Sequence, residues 1–193
     1  MSRFTFILIF VAVIVGTGLY FFSQSAVNEI ANLSVESLKE LTTKEVSMKI
    51  TSSAFQNNQS IPAKYSCDGE DVNPPLAFSE LPDNIQSLAL IVDDPDAPAG
   101  TWVHWIVWNI NPATAEISEN SVPKGAIEGI TSAGQAGYSG PCPPSGEHRY
   151  FFKLYALAAM LQLDASADKA ALKQAMQGHI LAQANLTGLY SHR

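Results

Sequence analysis

Carboxylate, imidazole and phenol side chains, groups that can donate and accept hydrogen bonds or protons in a site, gather in two short stretches of this chain. The first is IVDDPDAPAGTWVHWIVWNI, Ile91 to Ile110, with Asp93, Asp94 and Asp96 at a prolyl loop and His104 just beyond it. The second is GPCPPSGEHRY, Gly140 to Tyr150, which ends in His148, Arg149 and Tyr150. Two imidazoles, a phenol and a carboxylate from Asp94 or Asp96 would together serve a phosphate or carboxylate oxygen inside apolar walls.

Taken singly, each residue has an ordinary role. A lone histidine on an apolar strand is usually a hydrogen-bonded core residue. Asp before Pro is turn chemistry, Arg149 suits an ion pair, and His179 suits packing or capping within a helix. Acid and base groups are present, but there is no nucleophile elbow, metal-ligand spacing or phosphate loop. Cys142 would be a nucleophile only as a free thiolate. A non-enzymatic binding module with no cofactor and no metal is therefore expected.

The elements that must position these groups are mostly strands. MKITSSAF reads as a first short strand, followed by a turn-rich stretch from Gln56 to Asn73. SLALIVDD, WVHWIVWNI and HRYFFKLYAL are rich in β-branched and aromatic residues, and an irregular segment runs from Pro123 to Gly146. The link between the first two is too short for a crossover helix, so that pair is antiparallel. Strict alternation would put Trp102, His104, Ile106 and Trp108 on one face, and Val103, Trp105, Val107 and Asn109 on the other. It also puts His148 with Tyr150, opposite Arg149. The segment SADKAALKQAMQGHILAQANL has helical spacing at Ala171, Leu172, Ala175, Met176, His179 and Ile180, with Ser166 or Asp168 as N-cap. Mainly β architecture follows: a sandwich of two antiparallel sheets with a C-terminal helix.

The chain has 193 residues and a formal net charge of −7. With no Lys/Arg cluster, nucleic acid is not expected as a partner. Residues 4–22, FTFILIFVAVIVGTGLYFF, are uncharged and as a helix would span roughly 28 Å, about the hydrocarbon core of a bilayer. An N-terminal transmembrane helix over residues 1–25 is expected, with a cleaved signal segment as the competing reading. Arg3 would keep the N-terminus cytoplasmic, so the rest would face the periplasm or cell exterior. Residues 26–47 read as a stalk or linker of helical spacing, and residues 48–193 as one domain. In an exported domain, Cys67 and Cys142 are expected to form one disulfide.

The order DPDAPAGTWVHWIVWNI, then GPCPPSGEHRY, with CDGEDVNPPLAF upstream, resembles the phosphatidylethanolamine-binding protein family, in its bacterial Raf-kinase-inhibitor-like branch. The resemblance covers Met48 to His192. It implies a β-sandwich with a small anion-accepting pocket at one end. By motif it implies that Asp94 is the pocket carboxylate and Trp102 and His104 the wall and first histidine. Pro143 and Pro144 match the proline pair, and His148 and Tyr150 the second histidine and the tyrosine. It further implies a cis bond at Ala97–Pro98 and a tendency to dimerise. The ligand expected is a small anion such as phosphate or a phospholipid head group. The alternative is an inhibitor or interaction protein that engages a protease or another envelope protein through Ala97 to Thr101. The link to the His104 strand is only AGT, shorter than in animal members, which speaks against kinase inhibition.

Overall fold

The computed structural model describes residues 10–15, 18–23 and 48–192, and the chain divides into two compact units, Met1–Glu45 and Val46–Arg193. In the first unit, β1 (Phe10–Val15) and β2 (Gly18–Ser23) pair as an antiparallel hairpin, with Phe10 opposite Ser23 and Val15 opposite Gly18. This overturns the expected transmembrane helix: no helix among the described residues is long and apolar enough to cross a membrane. Length and hydropathy measure only how apolar a run is, and an unbroken apolar run has no period that separates helix from strand. Here Val11, Val13, Ile14, Val15, Tyr20, Phe21 and Phe22 favour strands. The stalk expected over residues 26–47 lies outside the described residues.

The second unit is a sandwich of two sheets. The larger has six strands in the order β4 (Gln59–Ser60), β11 (Ile180–Ser191), β10 (Glu147–Leu157), β6 (Ser87–Asp94), β7 (Trp102–Ile110) and β9 (Ile127–Glu128). The smaller has three, β3 (Lys49–Thr51), β5 (Leu76–Ser79) and β8 (Glu116–Ile117). Between the sheets lie Leu76, Leu90, Val92, Trp105, Val107, Phe152 and Leu154. The large sheet's other face is covered by helix α1 (Lys169–Met176): Ala89, Ile91, Ile106 and Trp108 pack there with Leu172 and Met176. Burial on both faces explains why all of β6 is buried and why the central strands read as continuous apolar runs rather than as alternating ones.

The helix starts where expected, with the Asp168 side chain accepting a hydrogen bond from the Ala171 N–H at 2.9 Å. It ends earlier than its spacing suggests. Gly178 sits in the left-handed region at φ 76°, a conformation glycine adopts without steric cost. The chain then reverses into β11, which pairs with β10 from Ile180 to Ser191. His179 lies in this exposed turn instead of on a packed helical face.

Candidate functional site

A cavity of about 410 Å³ opens at one end of the large sheet, within the usual size range of small-molecule pockets. Asp94, Trp102, His104, Pro143, Pro144, His148 and Tyr150 all line it, although they come from two separate stretches of the chain. Ala97, Pro98 and Ala99 form one wall, and Ser139, Gly140 and Cys142 another. The wall residues Ser139 and Gly140 carry no sequence signal, because Ser139 acts through its carbonyl and Gly140 through its lack of a side chain.

His104 reaches the cavity through a break in strand alternation. Val92 pairs with Trp105, but Asp93 pairs with Val103, so β7 carries one additional residue between them. His104 is the residue inserted by this β-bulge, a device that re-aims side chains. Ile106 and Trp108 therefore pack on the α1 side of the sheet with Val103, while Trp105 and Val107 point into the sandwich. His104 lies edge-on to Tyr150, with ring centroids 5.2 Å apart. The expected common face of His104 with Ile106 and Trp108 is thus corrected. On β10 alternation holds: His148 and Tyr150 are buried and Arg149 is exposed.

The three acids of the prolyl loop have separate tasks. Asp93 is fully buried and bonds both Lys153 on β10 and Lys169 on α1, tying helix to sheet. Asp94 faces the cavity: its Oδ2 accepts from His148 Nδ1 at 2.7 Å and its Oδ1 from the Asp96 N–H at 2.7 Å. Asp96 turns outward, where the Arg149 guanidinium donates to both its oxygens at 2.8 and 2.7 Å. That fork holds the Asp96 carboxyl down to about 2, against a smaller upward push from burial. The loop is thereby clamped to β10, and Gly100, at φ 101°, closes its turn before β7. All described peptide bonds are trans, so the expected cis bond at Ala97–Pro98 is absent, in line with the trans preference of X–Pro bonds.

The tautomers follow from the partners. The Ser139 carbonyl, 2.6 Å from His104 Nδ1, can only accept, so that nitrogen carries hydrogen. His148 Nδ1 likewise donates to Asp94. Each ring's Nε2 has no hydrogen-bond partner among the described residues. When the ring is neutral, Nε2 is an acceptor; when protonated, a donor. Burial lowers the His104 pKa, opposed by its bond to Ser139 and by Asp94, so the neutral ring is favoured. The Tyr150 phenol is pushed well above its ordinary value by burial and then by Asp94, and remains a neutral hydroxyl. It is 1% exposed, and its Oη has no hydrogen-bond partner among the described residues.

Several tethers hold the far wall. Gly140 N–H donates to Asp71 Oδ1 at 2.6 Å, and a Cβ on Gly140 would lie 2.5 Å from the Tyr65 carbonyl oxygen, so only glycine fits. Cys142 is joined to Cys67 by a disulfide, and the Cys67 N–H donates to the Pro141 carbonyl at 3.1 Å.

The family model described as phosphatidylethanolamine-binding protein matches residues 51–191 of this chain. A UPF0098 protein of Methanothermobacter thermautotrophicus is 47% identical over 148 residues, 74% of this chain and 98% of the relative. A UPF0098 protein of Chlamydia muridarum is also 47% identical, with the same shares covered. Among solved structures, the Chlamydia trachomatis phosphatidylethanolamine-binding protein homolog CT736 superposes with a TM-score of 0.74 at 43% identity. The match covers 77% of this chain and all of that one. Escherichia coli YbcL, described as a member of the mammalian PEBP family, gives a TM-score of 0.72 at 28% identity over 76% of this chain and 99% of its own.

Proposed function

This chain belongs to the phosphatidylethanolamine-binding protein family, and on that footing we propose that its pocket receives a small anion, a free phosphate or the phosphate of a lipid head group, without chemical turnover. The observation that carries this reading is the Tyr150 hydroxyl, buried against the cavity with no hydrogen-bond partner among the described residues. A buried hydroxyl left unbonded costs about 1–3 kcal/mol, and an anionic oxygen in the cavity would recover that loss. Tyr150 supplies a neutral donor. His104 and His148 supply donors through Nε2 once protonated, and Asp94 and the Ser139 carbonyl hold both rings in position. The apolar wall of Ala97, Pro98, Ala99, Trp102 and Pro143 excludes competing water.

Replacing Tyr150 with phenylalanine tests this directly. Anion affinity measured by calorimetry is expected to fall roughly ten- to a hundredfold, the size of a lost hydrogen bond to a charged group. The melting temperature should hold or rise, because the variant removes an unsatisfied polar atom. An unchanged affinity would remove Tyr150 from the ligand set.

Affinity should also depend on pH. An anion raises the pKa of the imidazoles it touches, so the gain is present below the bound-state pKa and lost above it. Burial has already lowered the free His104 value from 6.5. Affinity should therefore rise from about pH 8 to 6 and keep rising below the ordinary histidine range. Sulfate is the suitable probe because its own charge is constant over that window. A flat profile would exclude the histidines as ligands.

A second reading rests on Trp102, which is 39% exposed beside Ala97–Ala99: these loops engage a protein partner. Partner capture that survives His148→Ala would favour this surface mode over the pocket. In either case the Cys67–Cys142 disulfide suits an oxidising compartment outside the cytoplasm.

A further inference from the structure

The Cys67–Cys142 disulfide is exposed at both cysteines, and its two ends differ. Cys142 lines the cavity. Cys67 Sγ has His192 Nδ1 at 3.7 Å, and the same nitrogen lies 3.1 Å from Asp68 Oδ1. Asp68 in turn accepts from the Tyr190 hydroxyl. We propose that this disulfide is a thiol–disulfide exchange site of fixed polarity, in which a low-molecular-weight thiolate attacks Cys142 and Cys67 departs.

Two independent features set that direction. An exposed disulfide is open to attack, and exchange is faster when the leaving thiolate is better stabilised. A protonated imidazole beside Cys67, paired with the Asp68 carboxylate, supplies that stabilisation by charge and hydrogen bonding. Access supplies the other feature: the Cys142 end faces the cavity, through which a small molecule can approach. In the step itself, the incoming sulfur bonds to Cys142 Sγ as the Cys142–Cys67 bond breaks. The electron pair leaves on Cys67 Sγ, which either takes the His192 Nδ1 proton or remains a thiolate. One disulfide is consumed and one is formed, so the step needs no oxidant.

The test incubates the full chain with glutathione, quenches with acid, and caps free thiols with iodoacetamide. Peptide mass spectrometry should place glutathione on Cys142 and the cap on Cys67, in roughly tenfold excess over the reverse product. His192→Ala should slow formation of the mixed disulfide roughly three- to tenfold, the size that a change of about one to two in a thiol's pKa gives at typical exchange slopes. Equal labelling of the two cysteines, or glutathione mainly on Cys67, overturns the proposal. So does a His192→Ala variant that keeps the wild-type rate at every pH. Anion binding in the pocket is read separately by calorimetry, and neither result decides the other.

Discussion

Asp94→Ala is expected to lose both the pocket and much of the domain's stability. The carboxylate is 3% exposed, and each of its oxygens accepts a hydrogen bond. Truncation leaves the His148 Nδ1–H, itself 7% exposed, without an acceptor, and it removes the link that shapes the loop through Asp96. Loss of one member of a buried hydrogen-bonded pair costs about 2–4 kcal/mol. In a domain of this size that is roughly a 5–10 °C fall in melting temperature, readable by urea denaturation and calorimetry. Affinity for sulfate should fall with it, since His148 loses its orientation.

Asp94→Asn separates the two effects. Its Oδ1 can still accept from the Asp96 N–H, so the loop stays formed and stability should drop by only about 1 kcal/mol. Its amide then faces His148 Nδ1 as a donor. The imidazole must answer with a lone pair there, which moves its hydrogen to Nε2. A neutral His148 would present a donor to the cavity, and the pH dependence of sulfate binding should flatten. Wild-type stability in Asp94→Ala, or an unchanged pH profile in Asp94→Asn, would refute this account of the pair.

Replacing both Cys67 and Cys142 with serine should affect stability more than binding. The disulfide spans a sequence separation of 75, and chain-entropy arguments assign such a cross-link roughly 4 kcal/mol. The wall it anchors keeps its other tethers: Gly140 to Asp71, Cys67 N–H to Pro141, and Ser139 N–H to the His104 carbonyl at 3.0 Å. The loss therefore falls mainly on the unfolded ensemble, not on the pocket. Urea denaturation should show the midpoint falling, while the calorimetric affinity for sulfate stays close to wild type. A collapse of affinity with little change in stability would mean that the disulfide holds the wall locally.

Much of the site was legible before folding because its residues lie in two compact motifs with unusual chemistry. The pairing of His148 with Tyr150 needed only strand alternation, and β10 obeys it. His104 did not follow from the same rule, since one inserted residue in β7 changes which face receives it. A bulge is a relation between two strands, and nothing in WVHWIVWNI alone announces it. Residue chemistry alone left Asp94 and Asp96 both open; the family resemblance pointed to Asp94, and Arg149 pairs with Asp96.

Sequence by itself determined the local preferences: apolar runs that must be buried, prolines and glycines that punctuate them, an Asp168 cap, two cysteines in one domain. These depend on each residue and its near neighbours. Tertiary structure decided where a competing preference won. The helical spacing after Met176 yielded to a long pairing with β10, and the apolar N-terminal run, long enough for a spanning helix, folds back as the β1–β2 hairpin. Strand pairing satisfies backbone groups across distant segments, so its stabilisation exists only once the partner strand is in place, and no window along the chain contains it.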